Sequence, residues 1–275
     1  MIKRILVALS GTPCTQSAIT HGVELAKTHN AELTGVTIID PDRLQDVGPI
    51  PIGGAAAAHK LGEHRMQLAK EHIEEAIDQF EKCCGDAGIT NRVLRETGNS
   101  AELLLADWRY HDLTVIGLRG LFEYGVLHDH GHLVLDVIGS GLRPILAVSE
   151  EHRTIQSAMI AYDGSPLAAR AMKAYCMLDI WNPMPTTITC FRGQGGDADE
   201  LLTDAAAYIE SHSFSATKKR VEEKPRKVIL DTLEACNADL LVMGAAKRTR
   251  LGRKLLGDTA RYALENSTLP IFLHH

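Results

Sequence analysis

Ile5-Leu6-Val7-Ala8-Leu9-Ser10-Gly11-Thr12-Pro13 has a counterpart in Ala158-Met159-Ile160-Ala161-Tyr162-Asp163-Gly164-Ser165-Pro166, aligned without a gap 153 positions on. Each stretch is an apolar run, a glycine that lets the chain turn, and a hydroxyl residue followed by proline. A hydroxyl at the N-cap and a proline at the first helical position are start signals for a helix, so both stretches read as strand, turn and helix start. Three further signals recur in the same order. Asp112-Leu113-Thr114-Val115-Ile116-Gly117 matches Asp239-Leu240-Leu241-Val242-Met243-Gly244, and Arg143-Pro144-Ile145-Leu146-Ala147-Val148 matches Leu269-Pro270-Ile271-Phe272-Leu273. A glycine stands thirteen residues before each proline, Gly131 and Gly257. The chain is a tandem duplication of one α/β unit.

Continuous apolar strands bounded by Gly or Pro and separated by helical stretches are the pattern of a parallel sheet covered on both faces. In the first half the strands are expected near 4–9, 32–39, 91–97, 113–117 and 144–148. A long helix should run from Ala55 to Ala87, after a Pro/Gly-rich loop from Asp40 to Gly54. The spacing from Gly11 to Gly117 exceeds that from Gly164 to Gly244 by 26 residues, and this excess is assigned to the region between the second and fourth strands. The polar stretch Ser149–Thr154 is the expected linker, giving domains at 1–148 and 155–275.

An apolar share of 45% with 23% charged residues is ordinary for a globular protein, and 275 residues suffice for two cores. No apolar run approaches the roughly 18 residues of a membrane span. The first apolar run is too short for a secretory signal and leads into a turn. Cys14, Cys83, Cys84, Cys176, Cys190 and Cys236 form no CxxC pair, which fits a reducing compartment and a cytoplasmic location. A net charge of −6 argues against general nucleic-acid binding, which requires many phosphates to be neutralised by Lys and Arg.

In an open parallel sheet, ligands bind beyond the carboxyl ends of the strands at the switch point, here between strands one and four of each half. Gly164 and Gly244 are read as sharp turns there, and Gly257 as the start of a helix whose N–H groups attract an anion. These residues resemble the universal stress protein family, and the resemblance covers both halves nearly end to end, as a tandem pair. It implies Rossmann-like, adenine nucleotide α-hydrolase-like domains and a regulatory stress-response role. Family members that bind ATP carry an aspartate after strand one and a loop G-x2-G-x9-G-[S/T] after strand four. The resemblance therefore implies an adenine nucleotide (ATP, ADP or AMP) held by Ala161, Tyr162, Asp163 and Phe191, with its phosphates near Gly244, Lys247, Gly257, Asp258 and Thr259. It also implies that the fifth strands pair, here Ile145–Val148 with Ile271–Leu273 inside one chain. A homodimer and other protein partners stay open.

The second-half loop departs from this pattern. Lys247 stands for the middle glycine and Asp258 for the hydroxyl residue. A carboxylate about 4 Å from one phosphate charge costs on the order of 4 kcal/mol at an effective dielectric near 20. Opposing it, Lys247-Arg248-Thr249-Arg250-Leu251-Gly252-Arg253-Lys254 carries five cations able to make charge-assisted bonds. The alternative is a solvated loop and a stress-response scaffold whose pockets have drifted, with another small ligand under the long first-half helix. The first half departs further, with Ser10 for the aspartate and His132 for the hydroxyl residue.

His128-Asp129-His130-Gly131-His132 offers metal-binding atoms but matches no specific metal pattern, so no metal is expected there. Cys14 is expected in the first turn of a helix, where the dipole lowers a thiol pKa, but a quiet, partly buried thiol is favoured over a redox sensor. Gly139-Ser140-Gly141 lacks the context of a hydrolase elbow. No set of nucleophile, base and orienting acid is legible, and the expectation is a binding module, at most a slow ATPase.

Overall fold

A computed structural model describes residues 2–127, 132–140, 144–191, 197–248 and 254–274. The first half contains strands β1 (Arg4–Ala8), β2 (Glu32–Ile39), β3 (Asn91–Thr97), β4 (Leu113–Gly117) and β5 (Ile145–Val148). Its helices are α1 (Thr15–His29), α2 (Pro41–Gln45), α3 (Ala55–Ala87), α4 (Ser100–Trp108) and α5 (His132–Ser140). The second half repeats the plan with β6 (Ala158–Ala161), α6 (Pro166–Met177), β7 (Thr186–Phe191), α7 (Asp197–Ser211), β8 (Ala216–Val221), α8 (Pro225–Ala235) and β9 (Leu240–Gly244). A hairpin of β10 (Ala246–Arg248) and β11 (Lys254–Leu256) then precedes α9 (Asp258–Asn266) and β12 (Ile271–His274).

The two five-stranded parallel sheets join into one sheet of ten strands, ordered β3-β2-β1-β4-β5-β12-β9-β6-β7-β8. Every pairing is parallel except β5 with β12 at the seam. There Ala147 lies opposite Ile271, Leu146 opposite Phe272 and Ile145 opposite Leu273. The expected internal pairing of fifth strands is therefore present, and each half covers an edge of the other. The free edges are β3 and β8. Both are guarded by charge, Arg92 and Arg95 on one and Lys218, Lys219 and Arg220 on the other, which discourages pairing with another chain.

Strands β1, β4, β5 and β9 are almost wholly buried, as runs covered by helices on both faces must be. Helix α1 packs on β1, β4 and α3, while α4 packs on α5 and β2. Most of the extra length of the first half lies in α3, 33 residues against 15 in α7, and the rest in the segment between β2 and α3 that holds α2.

Several local expectations need correction. The Asp40–Gly54 loop holds the short helix α2, whose N-cap Asp40 accepts a hydrogen bond from the Arg43 N–H at 3.2 Å. Thr12-Pro13 does not open α1. Gly11 sits at φ +58 against Tyr124, and the chain makes one more turn, so that Thr15 is the first helical residue and Cys14 the cap. Ser165-Pro166 opens α6 as read, with the Ser165 hydroxyl accepting from the Ala168 N–H at 3.2 Å. Gly244 is not a turn. It ends β9, and a Cβ there would lie 2.8 Å from the Leu167 backbone carbon, so the glycine serves the close approach of α6. Gly117 does the same against Cys14 in the first half.

Candidate functional site

In the second half the carboxyl ends of β6, β7 and β9 and the start of α9 converge on the switch point. Ala161 ends β6, and the next residue, Tyr162, donates its N–H to the Thr189 carbonyl of β7 at 2.9 Å. Asp163 is exposed and its carboxylate accepts the Ser165 N–H at 2.9 Å, which fixes the turn that Gly164 makes at φ +76. Phe191 closes β7, half-buried at the same end of the sheet. Leu201 of α7 packs against Gly164. The Tyr162 phenol is pushed up, first by burial and then by the carboxylates of Asp163 and Asp204.

The loop after β9 is built differently from the expectation. Within the segment between Gly244 and Gly257, the described residues 246–248 and 254–256 pair as the antiparallel strands β10 and β11, in which Lys247 lies opposite Leu255. The hairpin leans on α5 of the other half. The cations Arg250 and Arg253 fall outside the described residues. Gly257 is the N-cap of α9 and makes no side-chain capping bond, and a Cβ built on it would meet nothing within 4 Å. That helix start offers N–H groups to an anion. The exposed Asp258 at its first position opposes one, while Thr259 is half-buried one residue further.

The equivalent place in the first half is filled by its own loop. Tyr124 is fully buried, donating its hydroxyl to the Ile38 carbonyl at 3.0 Å and accepting the Ile38 N–H at 2.9 Å. Its own N–H donates to the Ser10 carbonyl at 3.1 Å, and its carbonyl accepts a hydrogen bond from the His72 imidazole of α3. Any side chain at position 11 would collide with it, since a Cβ there would stand 2.7 Å from its ring. Phe122 and Tyr124 are held at φ +52 and +49, which costs a non-glycine residue about 1–3 kcal/mol unless the surroundings impose it. This plug at the ends of β1 and β2 was not foreseen from sequence, because nothing near Tyr124 announces contact with Gly11 and Ile38.

The buried cysteines are quiet. Burial pushes the Cys14 thiol up, against the N–H groups of Arg119 and Leu118 that pull it down, in keeping with the quiet buried thiol favoured from sequence. Cys84 and Cys176 are pushed up to about 12 by burial. His128 and His130 lie outside the described residues, and His132 is the first residue of α5.

The family profile that matches this chain is that of the universal stress protein family, over residues 1–135 and 192–274. A universal stress protein of Synechocystis sp. is 22% identical over 289 residues, covering 98% of this chain and 99% of the relative. Among solved structures, a universal stress protein from Archaeoglobus fulgidus superposes with a TM-score of 0.73 at 17% identity, covering 98% of this chain and 95% of its own. A universal stress protein from Pseudomonas aeruginosa superposes with a TM-score of 0.60 at 15% identity, covering 99% and 93%. With both halves built on the same strand order and the family profile matched across most of the length, the chain belongs to the universal stress protein family.

Proposed function

We propose that the protein is a regulatory binding module that takes an adenine nucleotide in its second domain. The observation that carries this reading is the contrast between the two sheet ends. The first is closed by Tyr124, whereas at the second the loop after β9 is drawn off into a hairpin that leans on α5. The second end keeps Asp163 after the first strand and an α9 start without a side-chain cap, as an adenosine and a phosphate require. Phe191 offers its half-buried ring beside them. Asp258 disfavours a fully ionised triphosphate, so binding rests on the cations of segment 247–254 to offset it. Regulation by occupancy, without turnover, is the corresponding role.

Calorimetric titration of nucleotide-free protein with ATP, ADP and AMP tests this. Saturable binding at one site per chain is expected, weakened at least ~10-fold by Asp163→Ala or Gly257→Val, the equivalent of about 1.4 kcal/mol. Isotherms unchanged by both substitutions refute the site. The drifted-scaffold reading has one observation of its own, a groove of about 450 Å³ beside the start of α3 lined by Val47, Ile50, Ala58 and Met66. An apolar ligand there, with no nucleotide bound in either half, would decide for it.

A further inference from the structure

At the junction of the two halves, away from both sheet ends, stands a cluster with no role in the nucleotide reading. His21 and Glu24 lie three residues apart on α1 and so share a face of the helix. His152 comes from the segment connecting β5 to β6 and meets them there. Its Nε2 lies 3.0 Å from the Glu24 carboxylate, and its ring centroid is 4.5 Å from that of His21. One ligand atom from each of the three residues falls within 4.8 Å of the other two.

The His21 side chain is the unexplained member. It is 3% exposed, and its buried Nε2 has no hydrogen-bond partner among the described residues. Buried polar atoms nearly always have a partner, so an orphan of this kind asks for one. Burial, and then the neighbouring His152, hold the imidazole in its neutral form, with a pKa near 3. With the His152 imidazole and the Glu24 carboxylate beside it, the His21 ring completes a donor set of two nitrogens and one oxygen.

We propose that His21, Glu24 and His152 bind a Zn²⁺ ion that clips the inter-domain segment to α1. Bond lengths of 2.0–2.2 Å in a tetrahedral site put neighbouring ligand atoms about 3.4 Å apart, so closing the cluster takes side-chain movements of about 1 Å. Two imidazoles and a carboxylate suit a first-row transition ion, while Mg²⁺ and Ca²⁺ prefer all-oxygen sites. The fourth position opens onto a groove of about 430 Å³, lined by His21 and Glu24 together with Thr28, Thr154, Trp181 and Pro183, through which the ion and a water enter. The ion would add to a seam that already holds the His29 imidazole of the first half against the Ile180 carbonyl of the second at 2.7 Å. Its effect is therefore on how firmly the halves are joined.

The test is calorimetric titration of the chelator-stripped full chain with Zn²⁺ at neutral pH, with Co²⁺ as a spectroscopic probe. One ion per chain, visible absorption of Co²⁺ in a low-coordinate nitrogen and oxygen site, and a rise in Tm of roughly 5–10 °C at hundredfold excess over Kd are expected. Loss of even an outer-shell partner costs about 10–100-fold in affinity, so Glu24→Gln and His152→Gln should each weaken binding by at least ~10-fold. Their side chains are 50% and 27% exposed, so both variants keep a foldable core, and circular dichroism verifies it. The triple variant His128→Gln/His130→Gln/His132→Gln and the exposed His59→Gln should bind as the parent does. Zn²⁺ affinity unchanged in both Glu24→Gln and His152→Gln, or lost in the triple variant, overturns the assignment.

Discussion

Replacing Tyr124 with phenylalanine removes one oxygen atom and leaves two buried backbone groups without partners. Strand β1 ends at Ala8, and Leu9 still donates its N–H to the Val36 carbonyl at 2.9 Å. Beyond that point β2 has no neighbour on its β1 side, and the Tyr124 hydroxyl takes over, serving both the N–H and the carbonyl of Ile38. Each buried group left unsatisfied costs about 1–3 kcal/mol. Two of them give roughly 2–6 kcal/mol, and a middle value near 3 kcal/mol corresponds to a Tm lowered by roughly 6–12 °C for a domain of this size. Urea and thermal unfolding followed by circular dichroism would measure it, with Tyr110→Phe, 70% exposed, as a control expected to stay within about 0.5 kcal/mol. Tyr124→Ala goes further and opens an aromatic-sized cavity, the kind that binds small aromatic molecules. Added p-cresol should raise the Tm of that variant more than toluene does, because only the former restores the hydroxyl. A Tyr124→Phe variant within 1 °C of the parent, or equal rescue by the two compounds, would refute the account of the plug.

Four other outcomes follow from the same structure. Metal-free protein should lose stability in acid through His21, whose imidazole is held neutral by burial and by His152, beside Glu24: the unfolded chain takes up a proton near pH 6.5 and the folded one near 3, so this contribution is complete above 6.5 and lost as pH falls towards 3. At pH 4.5 this loss is on the order of a few kcal/mol, and the urea midpoint of His21→Gln should change less between pH 7 and 4.5 than that of the parent. Ser165→Ala should cost about 1 kcal/mol by removing the α6 cap, whereas Thr12→Ala should stay within about 0.5 kcal/mol, since the Thr12 hydroxyl has no partner among the described residues; paired denaturation curves decide. Gly244→Ala should cost about 1–3 kcal/mol because the new methyl meets the Leu167 backbone. Alkylation at neutral pH, mapped by mass spectrometry, should label the half-exposed Cys83 and Cys236 well before Cys14 or Cys84.

The strands were legible because each is an apolar run stopped by glycine, proline or a turn residue, signals carried within a few positions. Ser165-Pro166 worked as a helix start for the same reason. Thr12-Pro13, alike in sequence, failed because Gly11 is pressed against Tyr124 from the loop after β4, a contact that no local pattern encodes. The β10–β11 hairpin escaped notice since its strands are three residues each, too short to show alternation, and they lie beside a run of cations that reads as loop. The positions implied for a nucleotide in the second half do gather at one end of the sheet, apart from Lys247, which the hairpin carries into a strand. The cluster of His21, Glu24 and His152 depends on the fold, which brings a helix of one repeat to the segment leading into the next.

The antiparallel seam between β5 and β12 has a consequence for how the two halves can change. Because both partners of that pairing are covalently linked, their association does not weaken on dilution, and each half meets its counterpart at a high effective concentration. A substitution in one copy is then never imposed on the other, as it would be in a pair made from two identical chains. One half can surrender its ligand pocket to a tyrosine and persist as a permanent template for its neighbour's edge strand, leaving the other free to keep or alter what it binds.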